Sequence, residues 1–233
     1  MNNFIDLRNI IKSYNDEIKI LNNINFSVNQ SDLISIIGPS GSGKTSLLNI
    51  IGSLDGFNSG TYQFNNIDVL KLKEKEKNKF RNKNIGFIHQ FHYLIPELTS
   101  LENIILPLLI SNLSLKDSIE IGHTYLKEFK LEDRKNIKSN LLSGGEQQRV
   151  SIARAMINSP SLILADEMTG NLDEKNSELI FEFFINKIKQ NQQTLIFVTH
   201  NNKLANIAKV KYKLENGSLE RYLWLWKNVI LST

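Results

Sequence analysis

Gly38-Pro39-Ser40-Gly41-Ser42-Gly43-Lys44-Thr45 lies between the apolar run Leu33-Ile34-Ser35-Ile36-Ile37 and the helix-like segment Ser46-Leu47-Leu48-Asn49-Ile50-Ile51. It fits Gly-x-x-x-x-Gly-Lys-[Ser/Thr] in the context that pattern needs, a buried strand before it and a helix after it. A Gly/Ser-rich turn carrying a chance lysine would lack those flanks. The glycines let successive backbone N–H groups turn inward around an anion, and the helix that follows adds its positive end at the same point. Such a loop holds nucleotide phosphates. Lys44 would reach the β- and γ-phosphates as a point charge, and the Thr45 hydroxyl would ligate the Mg2+ that bridges them.

Working outward, Leu33 to Ile37, Leu162-Ile163-Leu164-Ala165 and Leu195-Ile196-Phe197-Val198 are continuous apolar runs. Strands covered on both faces read this way, which predicts a central, mostly parallel sheet. The opening third alternates apolar and polar residues instead: Phe4 to Ile10, Ile18 to Leu21, Ile24 to Val28 and Thr61 to Phe64. These read as half-buried strands with polar turns between them. Helical patterning follows the phosphate loop and returns over Leu115 to Phe129, Gly145 to Met156 and Ser177 to Lys189. The chain is therefore α/β with a phosphate loop at a strand's carboxyl end. Residues from about 89 to 150 lack a convincing strand and read as a helical insert within a core of 1–88 and 151–222.

With 233 residues, 41% of them hydrophobic, the chain can bury one substantial core. It has no internal repeat and no Pro/Gly-rich linker, so one domain over 1–222 is expected. Lys and Arg exceed Asp and Glu by 28 to 24, a formal +4, which does not point to nucleic acid. In Lys71-Leu72-Lys73-Glu74-Lys75-Glu76-Lys77 the acids interleave with the lysines, as on a solvated helical face. The absence of cysteine excludes disulfides and thiolate chemistry and suits a reducing cytosol. The N-terminus does not read as a signal peptide. The most apolar stretch, Ile104 to Ile110, is short and broken by Pro107, below the roughly 18–20 residues a membrane helix needs. The end, 223–233 with Tyr222 before it, holds both tryptophans and could pack on the domain, touch lipid headgroups or extend without structure.

Two further stretches make sense beside a nucleotide. Leu162 to Ala165 leads into Asp166-Glu167. Asp166 would hold the Mg2+ shell from the strand tip, and Glu167 can polarise the water that attacks the γ-phosphate. Two carboxylates after a strand also serve as ordinary caps; the phosphate loop tips the balance to function. In Leu142-Ser143-Gly144-Gly145-Glu146-Gln147-Gln148-Arg149, Ser143 and Glu146 have the spacing of a capping box. A glycine-bearing helix start with a free hydroxyl is equally an anion site, so Ser143, Gly144 and Gly145 are candidates for a phosphate.

With that stretch the chain resembles the nucleotide-binding subunits of ATP-binding-cassette (ABC) transporters, whose signature motif Leu142 to Arg149 matches, and the resemblance runs from about Phe4 to Leu219. It implies a RecA-like phosphate-loop core, an antiparallel β subdomain and a helical insert carrying the signature. It also implies a head-to-tail dimer in which the signature of one copy covers ATP held by Gly38 to Ser46 of the other, an arrangement stabilised only while the γ-phosphate is present. By the same resemblance, Gln90 senses Mg2+ and the attacking water, His200 hydrogen-bonds the γ-phosphate, Asn171-Leu172-Asp173 crosses the dimer interface with Asp173 at the nucleotide, and Tyr14 lies against the adenine. The metal set would be Thr45, Gln90 and Asp166. Two departures stand out. Thr45-Ser46 inverts the commoner Ser-Thr order but keeps a hydroxyl for Mg2+. Met168 replaces the usual proline after Glu167, which points to a looser turn.

The segment Phe91 to Asn103 with Leu106-Pro107-Leu108-Leu109 resembles the family branch serving lipoprotein release, macrolide or peptide export and cell division, the lipoprotein-releasing members first among them. Gly52-Ser53-Leu54-Asp55 and Thr169 to Asp173 agree with that branch. The resemblance implies permease subunits docking near 90–110 and a peripheral location on the cytoplasmic face of a bacterial inner membrane. A soluble ABC ATPase acting on DNA or ribosomes is disfavoured, because the chain has neither a coiled-coil insertion nor a second cassette.

Overall fold

The computed structural model describes residues 3–14, 18–168, 170 and 174–222. The proposed interface crossing at 171–173, including Asp173, and the Trp-bearing end at 223–233 lie outside the described residues.

The alternating N-terminal segments form an antiparallel sheet. β1 (Ile5–Tyr14) pairs with β2 (Ile18–Val28), Ile5 opposite Val28 and Tyr14 opposite Ile18. Its other edge pairs with β4 (Ser59–Phe64), which is followed by β5 (Ile67–Asp68). The structure corrects one expectation here. Leu21 and Ile24 are not separated by a turn: β2 runs through Asn22-Asn23 as a bulge, with Asn23 in the left-handed region at φ 54. Asn9 on β1 does the same at φ 51, so the buried series shifts by one residue from Ile5 and Leu7 to Ile10.

The apolar runs form the second sheet. β3 (Leu33–Ile37), β6 (Ile85–Ile88), β7 (Leu162–Asp166) and β8 (Thr194–Val198) are parallel, and β9 (Val210–Glu215) runs parallel to β3 before turning back as β10 (Ser218–Arg221). Among the described residues the order is β10-β9-β3-β8-β7-β6. The expected α/β class, a mostly parallel sheet beside an antiparallel N-terminal one, is borne out. The runs are continuously apolar because both faces are covered: Leu162, Leu164, Ile196 and Val198 join a core with the antiparallel sheet, while Ile163, Ala165, Leu195 and Phe197 join a core with the helices on the other side.

α1 (Lys44–Ile51) follows the phosphate loop, and α2 (Glu74–Asn84) leads into β6. The lysine run divides, since Lys71 ends a 3-10 turn and the helix starts only at Glu74; buried Phe80 then turns α2 towards Phe64. Between β6 and β7 come α3 (Ser100–Ile110), α4 (Leu115–Glu128) and α5 (Gly144–Met156). α5 lies directly on β6: a methyl group at Gly86 would stand 2.2 Å from the Ala155 carbonyl oxygen, so only glycine admits the helix there. α6 (Glu174–Gln190) links β7 to β8, and α7 (Asn202–Ala205) links β8 to β9.

Strand register positions the site. Ile36 and Asp166 both lie level with Val198, and Ile88 with Ala165. The segments that follow β3, β6, β7 and β8 therefore emerge at one edge, bringing together 38–45, 89–90, 166–167 and 199–200 from four distant parts of the chain.

Candidate active site

Gly43 ends the phosphate loop in the left-handed region at φ 98, and no side chain caps α1, so the first-turn N–H groups stay open to a ligand. A methyl at Gly43 would also press to 3.0 Å from Ile20 Cγ2, because the loop rests on β2. The Ser42 hydroxyl inside the loop is buried without a hydrogen-bond partner. That orphaned group fits a phosphate oxygen. Lys44, 6% exposed, donates to the Gly38 and Pro39 carbonyls at 3.0 and 2.7 Å. Burial pushes its ammonium below the ordinary lysine range, while Glu167 and Asp166 pull it back up.

Thr45 donates to Asp166 Oδ2 at 2.8 Å, so the two oxygen groups expected to share a cation are adjacent. Glu167 takes a left-handed conformation at φ 45. Its N–H donates to Val198 O at 3.1 Å, and its carbonyl accepts from the Gly170 N–H at 2.9 Å. Met168 is buried in the helical-side core at 4% exposure. The turn that lacks proline is thus held by a strand bond, a turn bond and an apolar anchor. Glu167 Oε1 lies 2.5 Å from His200 Nε2, with the imidazole half exposed.

Gln90 comes against the same turn, since a methyl at Gly170 would lie 3.5 Å from its amide nitrogen. Next to it, the half-buried His89 ring stacks on Phe87 at 4.1 Å, and burial holds its pKa below the usual histidine value despite the opposing pull of Asp166. Tyr14 is 54% exposed at the end of β1, opposite Ile18, which lies two residues before the Ile20 that a methyl at Gly43 would meet.

Ser143 to Gly145 stand elsewhere. Ser143 caps α5, its N–H and hydroxyl both bonded to Glu146 Oε2 at 2.8 and 2.9 Å, and Arg134 braces Glu146 at 2.7 Å. The capping box read from the spacing is present. Among the described residues, no hydrogen bond or ion pair joins 143–145 to the phosphate loop. Sequence reasoning missed Arg154, which donates to the His92 and Tyr93 carbonyls at 2.7 Å each and so fixes the segment after Gln90. No local pattern signals a contact made across 61 residues. That segment exposes Phe91 and Tyr93 and borders a groove of about 480 Å3 with Ser139, Asn140, Gly144 and Gln147.

A phosphate loop, a strand-tip Asp-Glu pair and a histidine just past the end of the neighbouring strand, gathered at the carboxyl edge of a parallel sheet, define a phosphate-loop nucleoside triphosphatase. The sequence profile of the ABC transporter family matches residues 21–170. The chain belongs to that family, as one of its ATP-hydrolysing cassettes. It is 43% identical over 217 residues to the lipoprotein-releasing system ATP-binding protein LolD of Bacteroides thetaiotaomicron, covering 93% of this chain and 99% of the relative. It is 45% identical over 226 residues to the LolD protein of Buchnera aphidicola, covering 95% and 99%. Among solved structures it is similar to the dimeric ATP-binding cassette MJ0796 in a post-hydrolysis state with ADP and Pi, at a TM-score of 0.85 and 38% identity, covering 95% of this chain and all of that one.

Proposed function

We propose that this chain is the ATPase subunit of a lipoprotein-releasing transporter, acting as a pair of copies beneath permease subunits on the cytoplasmic face of a bacterial inner membrane. The observation that carries the ATPase half is the meeting of Lys44, Thr45, Asp166, Glu167 and His200 at one sheet edge. Likeness to the LolD proteins over more than nine-tenths of the chain supports the cargo class. Among the described residues no helix is long and apolar enough to cross a membrane, and in this reading a membrane partner transmits the force to the lipoprotein.

In this reading the loop amides and Lys44 hold the β- and γ-phosphates, Tyr14 stacks on the adenine, and Thr45, Asp166 and Gln90 supply the oxygen donors. A hydroxyl, a carboxylate and an amide oxygen, completed by phosphates and water, suit Mg2+. When bound, the ion neutralises charge on the phosphates and orients them. Glu167 accepts a proton from the attacking water as its oxygen bonds to the γ-phosphorus and the bond to the bridging oxygen breaks, giving ADP and phosphate. His200 engages the Glu167 carboxylate. A γ-phosphate offers the imidazole a more highly charged partner, and the carboxylate is then free for water.

The separation of Ser143 to Gly145 from the phosphate loop supports completion of each site by a second copy. The Ser143 hydroxyl would turn from Glu146 to the γ-phosphate, with Asp173 joining at the interface. A mixture of Lys44→Ala and Ser143→Arg chains, each inactive alone, then assembles mixed dimers with one intact and one doubly broken site. Recovery of ATPase activity on mixing is expected, and none at all would overturn the shared site. Phe91, Tyr93 and the adjoining groove offer an apolar surface for the permease, fixed to α5 through Arg154. Purification of the tagged chain from its native membranes in mild detergent should bring down a membrane subunit and bound lipoprotein. A membrane subunit without lipoprotein, carrying macrolide or peptide export or cell-division activity, would move the chain to that neighbouring branch.

A further inference from the structure

The Lys12 ammonium lies 5.3 Å from the centroid of the Tyr14 ring. It also donates to Asp55 Oδ1 and to the Gly56 carbonyl, each at 2.8 Å, and only 11% of the side chain is exposed. The cation therefore fills one face of the ring from a fixed position, and Tyr14 keeps the rest of its surface open. Asp55 is itself fixed. The Leu54 and Asp55 N–H groups both reach the Asn49 carbonyl, at 2.8 and 3.3 Å, and Arg81 donates to the Ser53 carbonyl at 2.7 Å. Asn49 belongs to α1, the helix that begins at Lys44. A continuous chain of contacts thus runs from the phosphate loop along α1 to Asp55, across to Lys12 and onto the Tyr14 ring. The antiparallel sheet and the phosphate loop come from separate parts of the fold, and these contacts are a polar strap between that sheet and the far end of the helix that follows the loop.

We infer that Lys12, anchored by Asp55, is a positioning residue that sets the Tyr14 ring at the right distance from the phosphate loop for the nucleobase of ATP. The inference rests on the proposed stacking of Tyr14 on adenine. It gives Gly52-Ser53-Leu54-Asp55 a role in base recognition rather than in chemistry. An ion pair that merely tied the sheet to α1 would affect every ligand of the loop alike; a positioning role affects only ligands that carry a base.

The full-length protein and its Lys12→Met, Tyr14→Ala and doubly substituted forms are to be compared for binding of ATP and of inorganic tripolyphosphate, which has no base. Lys12→Met is expected to weaken ATP binding about three- to tenfold. Tripolyphosphate binding and kcat at saturating ATP should stay at parental values, and Lys12→Arg should restore ATP binding. In the Tyr14→Ala background Lys12→Met should add nothing. Equal losses toward ATP and tripolyphosphate would overturn the inference, as would a full additional loss on top of Tyr14→Ala. A loss in Tyr14→Ala that neither Lys12→Met nor Asp55→Asn reproduces overturns the inference alone; Tyr14→Ala binding ATP as the parent does overturns the stacking assignment and the inference with it. Asp55→Asn keeps a hydrogen-bond acceptor without the charge, so it carries the test if Lys12→Met does not fold.

Discussion

Glu167→Gln is expected to bind ATP and to accumulate as an ATP-bound dimer, while its hydrolysis rate falls at least about a hundredfold, the range in which a positioned general base acts. The substitution preserves side-chain size at a position whose backbone is set independently: the Glu167 N–H is bonded to Val198, its carbonyl to Gly170, and Met168 is buried beside it. The left-handed φ of 45 is thus maintained by neighbours rather than by the carboxylate. The amide cannot take up the proton of the attacking water. Phosphate binding persists, because Lys44, Thr45 and Asp166 remain. Gel filtration with millimolar ATP, beside a phosphate-release assay, reads both halves; turnover within about tenfold of the parent would remove Glu167 from the role of base.

Lys44→Met separates folding from binding. The Lys44 ammonium is nearly buried, burial pushes its pKa down, and its hydrogen bonds go to the Gly38 and Pro39 carbonyls of the loop itself, so the cation contributes little to the rest of the fold. Methionine fills the space of the stem. The unfolding temperature of the nucleotide-free protein should therefore change little. The parent, at ATP concentrations near a hundred times its dissociation constant, should gain roughly 5–10 °C. The variant should gain nothing, since Asp166 and Glu167 then face the phosphates without their cation. A nucleotide-free midpoint far below that of the parent would show that Lys44 serves the fold, and retained stabilisation by ATP would remove it from the phosphates.

Much of the site was legible because its chemistry is local. The turn at Gly38 to Lys44 needs glycines at fixed spacing, and a strand tip with two acids is written in six consecutive residues, Leu162 to Glu167. The capping box at Ser143 and Glu146 is a three-residue relation. The bulge at Asn23 was not legible, because asparagine in the left-handed region serves a turn and a bulge equally well, and only the register against β1 distinguishes them. Arg154 and Lys12 were silent for another reason. Arg154 reaches backbone carbonyls 61 and 62 residues away, and Lys12 is held by Asp55 and the Gly56 carbonyl 43 and 44 residues away, partners that no local pattern announces.

The sequence by itself determined the class of fold and the kind of chemistry: continuous apolar runs demand a sheet covered on both sides, and the phosphate loop, the acids and the signature demand a nucleotide. Tertiary structure decided which groups meet. Parallel register levels Ile36, Asp166 and Val198, so Thr45 touches Asp166 and His200 reaches Glu167. Tertiary packing also holds Glu167 in its turn although methionine stands where proline would restrict it, because hydrogen bonds to Val198 and Gly170 and burial of Met168 supply the restraint from outside the motif. Short-range patterns record what each segment can become. The hydrogen bonds between strands, which depend on residues far apart in the chain, decide where its side chains arrive.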